Sequence, residues 1–498
     1  MSDNKSSYGN IFKTTFLFGF VQAFNIVTKV AVNKVVAILL GAEGLGMISL
    51  FNSALMMLKS GCGLGIKQSA VRDVAEANKD DDFHKISKII VVTNRVVLYT
   101  AMFGLLVTII GSPLLSRYSF GSLTYTMPFV ILSIAVALNI YAEGQMAILT
   151  GMRKMKSLAM TNIIGSFIGM LFSIPFYYFF GKDGIVPSLI VAALCMFVTT
   201  KVYVNKIKIQ NVRMTMRQVF RLATPMVQMG SVLMLAGFSG FAFDLLVSSF
   251  IRFEGGFETV GIYQAGATII SSYFGIILSA MTTDYYPRIC SVNSNNEQLS
   301  DELNKQVSAG LIMIFPLAVC FVFLAPYFLT FLYSSEFVES TNYTDIAIIG
   351  TLITVLSNCM GMIFMAKMES KLYLVLVLGI LISLVGVYVS MFHLFGLVGL
   401  GISYVLNGLI SFIVYGAILR KRYGITVKRK ILYLLLFEVV ILLLSLFIRE
   451  KISSVFIRIA FESIIFGSVC MFSISYLKNA MDINLLKIIK NKLYGYKK

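Results

Sequence analysis

The chain has 498 residues, of which 57% are hydrophobic and 13% are charged; its mean hydropathy is +0.84 and its net charge is +18. Apolar runs of about 20 residues recur to the end of the sequence, which excludes a water-soluble domain. The connections between these runs are mostly short, so no sizeable soluble domain fits between them. We therefore expect an all-α, polytopic membrane protein.

The apolar runs predict about 14 membrane-spanning helices. Their centres lie near residues 26, 57, 100, 133, 169, 193, 236, 270, 320, 355, 382, 407, 440 and 466. If both termini are cytoplasmic, 32 of the 42 Lys and Arg residues lie on the cytoplasmic side. Six lie on the opposite side: Arg117, Lys182, Arg252, Arg449, Lys451 and Arg458. This asymmetry predicts cytoplasmic termini, and it makes the positive charge a membrane-surface feature that needs no nucleic-acid partner.

The first predicted span, Phe12 to Leu40, carries more polar residues than a lipid-facing helix tolerates. Four of them fall within one stripe about 80° wide on an ideal helix. The stripe consists of Gln22, Asn25, Lys29 and Asn33. Lys34 belongs to the same span but lies well off the stripe. One face of helix 1 is therefore expected to be hydrated.

An internal repeat runs through the chain at a constant offset, the one that separates Glu43 from Glu258. At this offset Gly46 matches Gly261, Tyr118 matches Tyr333, Lys156 matches Lys371, and Phe180, Gly181, Gly184 and Ser188 match Phe395, Gly396, Gly399 and Ser403. Each half has six predicted helices, an even number, so both halves enter the membrane from the same side and the repeat is parallel. Helices 13 and 14 follow as an appendage.

The repeat predicts four parts of the chain. Residues 1–205 form an N-lobe of helices 1–6, and residues 206–221 form a basic interfacial linker. Residues 222–420 form a C-lobe of helices 7–12, and residues 421–498 hold helices 13 and 14 with a basic cytoplasmic tail.

Short motifs at the predicted turns carry a family resemblance. They are LLGAEGLGMISLF (Leu39 to Phe51), its repeat counterpart FETVGIYQAG (Phe257 to Gly266), LTGMRKMKS (Leu149 to Ser157) and FGKDGIVPS (Phe180 to Ser188). These stretches resemble the polysaccharide-transport branch of the multidrug/oligosaccharidyl-lipid/polysaccharide (MOP) exporter superfamily. Within that branch the chain looks like a Wzx-type O-antigen translocase. The two extra C-terminal helices resemble those of lipid II flippases, which leaves a lipid II-type flippase as an alternative.

The resemblance implies two six-helix lobes around a central cleft, which helices 1, 2, 7 and 8 line and which opens alternately to either side. It also implies a cargo of oligosaccharide on undecaprenyl diphosphate. Such a cargo needs an aqueous path for its sugars, a lipid path for its tail and cations for its diphosphate.

Three intramembrane lysines are candidates for diphosphate binding, namely Lys29, Lys34 and Lys59. A lysine at the centre of a span costs about 2.5–3.5 kcal/mol on insertion scales, so Lys29 and Lys59 should face a hydrated cavity or a partner. The alternative for Lys34 and Lys59 is that they snorkel or make structural hydrogen bonds. The amides of helix 1 are candidates for contacts with sugar hydroxyls: Gln22, Asn25 and Asn33.

Asp244 in helix 7 occupies the repeat position of Lys29. We therefore expect the two to lie near the pseudo-two-fold axis, where an ion pair between them would close one side of the cleft until anionic cargo arrives. Asp244 lies about 140° around an ideal helix from Gln228 and Ser231, a separation that a bend permitted by Gly237 and Gly240 could relieve. The alternative is an aspartate that is hydrogen-bonded within its own lobe.

Several kinds of chemistry lack their usual signals. The sequence has no G-x-x-x-x-G-K-[ST] motif, contains two histidines, and has six cysteines without metal or redox spacing. We therefore expect no enzyme, cofactor or metal site.

A membrane polysaccharide polymerase would need a substantial outer loop or a cluster of titratable groups. A non-transporting scaffold would leave the intramembrane lysines unexplained. A cation-coupled multidrug exporter, the main rival, would favour acidic residues, whereas this core has three deep lysines and one deep aspartate.

Together these observations predict a flippase that moves an undecaprenyl-diphosphate-linked oligosaccharide from the cytoplasmic to the outer leaflet of a bacterial inner membrane. The cargo would be an O-antigen or a related repeat unit of surface polysaccharide. Its partners are the lipid-linked cargo and the bilayer, with polysaccharide polymerase and chain-length machinery as candidate protein partners.

Overall fold

The structure is a computed structural model that describes residues 2–79, 83–207, 210, 212 and 214–481. Part of the predicted basic linker and the predicted basic tail beyond residue 481 lie outside these residues. Throughout the described part of the chain the secondary structure is helical, without strands. This agrees with the predicted all-α class, since a helix satisfies all of its backbone hydrogen bonds within one membrane-spanning segment.

Thirteen α-helices make up the described chain. They are α1 (Ser2–Cys62), α2 (Ile66–Lys79), α3 (Phe83–Phe120), α4 (Thr126–Gly151), α5 (Met155–Phe180), α6 (Ile185–Asn205), α7 (Met216–Thr268), α8 (Gly275–Ser291), α9 (Asn296–Leu332), α10 (Thr341–Ala366), α11 (Ser370–Tyr423), α12 (Arg429–Lys451) and α13 (Val455–Met481). Short helices at Gly181–Gly184 and Ser335–Ser340 join longer ones, and a π-helical turn, Ile269–Phe274, precedes α8.

Ten apolar helical stretches among the described residues are long enough to cross a membrane. Four of them span 42 to 53 residues, about twice the length that one crossing needs. These four are Val21–Cys62, Met155–Asn205, Met234–Ser279 and Lys371–Tyr423. Each contains one glycine with positive φ at which the helix is interrupted, so each accounts for two crossings. The ten stretches of the described chain are therefore long enough for fourteen crossings, which agrees with the predicted number.

The four interrupting glycines also support the internal repeat. Gly41 (φ 66°) and Gly256 (φ 78°) are separated by the offset of the repeat, as are Gly181 (φ 56°) and Gly396 (φ 57°). A positive φ costs an L-residue a steric clash between Cβ and the backbone, which glycine avoids. The same unusual backbone conformation thus occurs at equivalent points of the two halves.

The tight turn after α4 has the same hydrogen bonds as the turn after α10. The Met152 amide donates to the Ile148 carbonyl at 2.9 Å, and the amide of Lys367, its repeat equivalent, donates to the corresponding carbonyl of α10 at 2.8 Å. Arg153 and Met368 both have positive φ, at 53° and 61°, although neither is glycine. A shared strained turn at the predicted offset supports two homologous halves better than sequence identity alone.

The described residues form two compact units. The first comprises Met1–Gln264 with Leu332–Ser334, and the second comprises Ala265–Phe331 with Ser335–Lys498. In the first unit, α4 packs against both α3 and α6, and α5 packs along α6 and α1. In the second unit, α10 packs against α11 and is buried along most of its length. The candidate site residues all belong to the first unit.

Candidate functional site

The polar stripe of α1 lies opposite two exposed apolar side chains of the same helix. Val27 and Ile38 are 67% and 64% exposed, as expected for apolar side chains in contact with acyl chains. On the helix they lie about 180° from Lys29. Lys29 and Gln22 are exposed nonetheless. Their face is turned away from the exposed apolar side chains, so the expectation that this face borders a hydrated space stays a prediction.

Two amides of the stripe already have polar partners within the first unit. The Asn25 Oδ1 atom accepts a hydrogen bond from the Ser166 hydroxyl of α5 at 3.2 Å. The Asn33 amide donates to the Tyr333 hydroxyl at 3.3 Å. Both asparagines are half-buried, so each anchors α1 while leaving part of its amide accessible. The sequence matched Tyr333 with Tyr118 in the repeat but gave no sign of this contact.

Lys59 forms an ion pair with Glu143 of α4, the Nζ and Oε1 atoms being 3.1 Å apart. Lys67 approaches the same oxygen at 3.5 Å from α2. The Lys59 side chain is largely buried, and it lies one turn from the end of α1 at Cys62. Lys59 was expected to face a cavity or a partner, and its partner is Glu143. A half-buried carboxylate between two cations is typical of a structural ion pair.

Lys34 is half-buried and lies about 140° around α1 from Lys29, off the polar stripe. Its position on the helix leaves both sequence interpretations of Lys34 open. A further basic residue of the predicted spans, Arg95 of α3, donates to the Met214 carbonyl at 2.7 Å. This bond ties α3 to the segment between α6 and α7 and gives Arg95 a structural role.

Asp244 is exposed on α7, and its surroundings resemble those of Lys29 on α1. The exposed apolar residue Phe253 lies about 180° around the helix from it, so Asp244 too is turned away from lipid. Within α7, whose backbone is described throughout, only Gly256 departs from helical geometry. The helix is therefore not interrupted at Gly237 or Gly240, and both the relief of the angular separation by a bend there and the pairing of Lys29 with Asp244 stay predictions.

Helix α7 contacts α1 and the turn that follows α1 at two glycine pairs inside the first unit. The backbones of Gly46 of α1 and Gly261 touch, and so do those of Gly65, in the turn between α1 and α2, and Gly230. Phe238 of α7 packs against Gly61. Close backbone contact at small residues is the usual way in which membrane helices pack. These contacts hold α7 beside the helix that carries the polar stripe.

Comparison with known proteins identifies the family. Residues 35–342, more than half of the chain, match the family described as polysaccharide biosynthesis protein. Among curated proteins no sequence matches the chain.

Several solved structures share the fold. The lipid II flippase MurJ in an inward closed conformation has a TM-score of 0.66 at 12% identity, covering 95% of this chain and all of its own. An inward-facing multidrug resistance MATE transporter of the MOP superfamily has a TM-score of 0.64 at 17% identity, covering 80% and 94%. A MOP superfamily transporter from Pyrococcus furiosus, described as having a binding pocket of reverse polarity, has a TM-score of 0.58 at 16% identity, covering 83% and 96%.

These solved structures are of transporters and of a flippase. The multi-pass architecture and the repeat fit the same group. The chain belongs to the polysaccharide biosynthesis protein family and has the fold of the MOP superfamily transporters.

Proposed function

We propose that this transporter flips an oligosaccharide linked to undecaprenyl diphosphate from the cytoplasmic to the outer leaflet of a bacterial inner membrane. Both termini would then be cytoplasmic, as the distribution of basic residues predicts. The observation that carries the proposal is the polar stripe of α1, where exposed Lys29 lies opposite lipid-facing Val27 and Ile38. A cationic, hydrated face inside a membrane protein suits an anionic, hydroxyl-rich cargo.

The roles of individual residues follow from their positions. Lys29 is accessible on the stripe and is the first contact for the diphosphate. Lys34 and Lys59 would add charge from α1, with Lys59 released from Glu143 or shared with it when cargo arrives. Three amides would meet sugar hydroxyls: Gln22, Asn25 and Asn33. Lysine suits this task because its ammonium is a compact charge on a flexible stem.

Alternating access would connect the two leaflets. Asp244 on α7 would pair with Lys29 in the absence of cargo, closing one side, and would release it when the diphosphate competes for the lysine. The exposure of both side chains, each turned away from lipid, supports this exchange. Polysaccharide polymerase and chain-length machinery are the partners that we propose for the product.

A lipid II-type flippase is a second candidate, and one observation favours it. The match to the lipid II flippase leaves 5% of the chain uncovered, fewer residues than α12 and α13 contain together. The shared fold thus extends into the C-terminal pair of helices. Both candidates carry a polyprenyl diphosphate, so they differ in the sugar rather than in the role of Lys29.

Reconstitution into liposomes tests the proposal directly. Undecaprenyl-diphosphate oligosaccharide with a leaflet-specific glycan probe should become accessible on the far leaflet only in vesicles that contain the protein. A parallel assay with a fluorescent cationic drug measures the rival activity. No protein-dependent movement of the lipid, together with robust drug export, would overturn the proposal. Lipid II in the same assay separates the two flippase candidates.

A further inference from the structure

Two of the six basic residues on the predicted outer side share one cavity. Arg117 of α3 and Arg252 of α7 line a space of about 540 Å³ in the first unit. The cavity lies between the end of α3 and the turn of α7 that precedes Gly256. The positive-inside pattern makes outer arginines rare in this chain, so two in one cavity call for an explanation.

Backbone contacts hold Arg252 in place. Its Nε atom donates to the Ser119 carbonyl at 3.1 Å, and its Nη2 atom donates to the Tyr118 carbonyl at 3.2 Å. These carbonyls belong to the last turn of α3 and lack helical partners. Gly121, at φ 73°, lies so close to Nη1 that a Cβ there would collide with it. Among the described residues Nη1 makes no hydrogen bond, so this side of the fork is available to a ligand.

The charge of the two arginines is not balanced within the described part of the chain. Neither Arg117 nor Arg252 has a carboxylate within ion-pair distance there. Three of the other outer basic residues do have one: Lys182 pairs with Glu43, Arg449 with Asp345 and Arg458 with Glu462. The two positive charges at this cavity are therefore not neutralised by a carboxylate among the described residues, in contrast to those of Lys182, Arg449 and Arg458.

A buried hydroxyl points to a ligand independently. Ser249 lines the same cavity, its side chain is 3% exposed, and its Oγ atom has no hydrogen-bond partner among the described residues. An unpaired buried polar group is unfavourable by about 1–3 kcal/mol. An acceptor bound in the cavity would remove that penalty, and two guanidinium groups beside it would favour an anionic acceptor.

The surroundings of the cavity are lipid-like. Leu114 and Phe253 line it and are 74% and 73% exposed, and the exposed ring of Tyr118 lies beside them. Exposed apolar side chains at the end of two spans lie at the level where acyl chains meet headgroups, and tyrosine is enriched at this level. A ligand here would carry its apolar part into the bilayer and its anionic part into the cavity.

We propose that this cavity binds the phosphate of a membrane lipid, with Arg117, Arg252 and Ser249 as its ligands. Arginine is the residue suited to phosphate, because its planar fork donates two parallel hydrogen bonds. A glycerophospholipid and a polyprenyl diphosphate share this chemistry. Only the second source rests on the proposed function, since it would hold the carrier after the flip.

Binding of defined lipids to the full-length protein in detergent tests the proposal, with native mass spectrometry as the readout. The probes are dioleoylphosphatidylglycerol and undecaprenyl diphosphate, with dioleoylglycerol and undecaprenol as counterparts that lack phosphate. We expect one bound lipid that requires the phosphate. Arg117→Gln and Arg252→Lys should each weaken its binding about tenfold, which corresponds to about 1.4 kcal/mol. Lys451→Gln, an exposed charge of the predicted outer side that does not line the cavity, should leave binding unchanged.

The arms of this experiment separate the outcomes. Loss of phosphatidylglycerol binding in the arginine variants assigns the cavity to glycerophospholipid, and selective loss of undecaprenyl diphosphate binding assigns it to the carrier. Equal binding of all probes by the wild type and both arginine variants would overturn the proposal. Because Arg252 also caps α3, the melting temperature of each variant is measured. If Arg252→Lys does not fold, Arg117→Gln and Ser249→Val decide the result. None of these measurements requires flipping, so failure here leaves the proposed function separately testable.

Discussion

Gly46 and Gly261 lie against each other in a reciprocal contact. A Cβ on Gly46 would collide with the Phe257 carbonyl, and a Cβ on Gly261 would collide with the Ala42 carbonyl, which is the repeat equivalent of the first contact. Each built Cβ also lies 3.0 Å from the backbone nitrogen of the other glycine. Exchange of the two halves converts each of these contacts into the other. The pseudo-two-fold axis of the repeat therefore passes between α1 and α7 at this point.

This contact predicts that Gly46→Ala and Gly261→Ala are both destabilising. The clash is with backbone atoms, which cannot move aside as a flexible side chain would, so we expect a loss of about 1–3 kcal/mol for each variant. Thermal unfolding in detergent measures the effect as a lower melting temperature. Gly386→Ala in α11 is the control, because a Cβ there meets nothing within 4 Å. Wild-type melting temperatures for both variants would contradict the contact.

The proposed exchange of Lys29 between Asp244 and the cargo predicts rescue by a charge swap. Lys29→Asp and Asp244→Lys each place two like charges at repeat-equivalent positions, so we expect each to lower flipping at least about tenfold. The double variant restores the pair and should recover flipping. Lys34→Asp combined with Asp244→Lys is the control that should not recover it, since Lys34 lies on another side of α1. A double swap as inactive as the single variants would exclude the pair.

Because Lys59 pairs with Glu143, variants of the two residues can distinguish a structural role of Lys59 from a role in cargo binding. Both Lys59→Gln and Glu143→Gln break the same 3.1 Å ion pair, and a double-mutant cycle should give a coupling of about 1 kcal/mol in stability. If Lys59 also binds diphosphate, Lys59→Gln should reduce flipping far more than Glu143→Gln does. Lys67→Gln, which removes the more distant and more exposed cation, is the control. Equal transport losses in the two variants would leave Lys59 with the structural role alone.

Much of the architecture could be predicted from the sequence because its signals are long or periodic. Fourteen crossings follow from apolar runs of about 20 residues, which no soluble fold needs. The repeat was visible at Gly181 and Gly396 because a positive φ restricts the position to glycine.

Side-chain contacts between different helices could not be predicted in the same way. The contacts of Asn25 with Ser166 and of Lys59 with Glu143 join residues 141 and 84 positions apart. Such contacts depend on the rotation and tilt of each helix, which packing determines and hydropathy does not encode. For the same reason the sequence placed Arg117 and Arg252 on one side of the membrane but not in one cavity. Sequence patterns therefore located the polar stripe, whereas the structure was needed to show what its members touch.

The attachment of the C-terminal helices gives the last prediction. In the second unit, Arg449 of α12 forms a bidentate ion pair with Asp345 of α10. The Arg449 Nη1 atom also donates to the Val322 carbonyl of α9 at 2.8 Å. The two side chains are 11% and 12% exposed. Removal of one partner leaves the other buried and unpaired, so Arg449→Gln and Asp345→Asn should each cost about 3–5 kcal/mol. The double variant Arg449→Met with Asp345→Leu, which removes both charges, should recover much of that loss. Melting temperatures in detergent measure all three, with Lys451→Gln as the control.

Flipping by the stable double variant then shows whether this ion pair serves only to hold α12 against α9 and α10. Full activity would indicate an attachment role alone, whereas a stable but inactive double variant would contradict it and place the pair in the transport cycle.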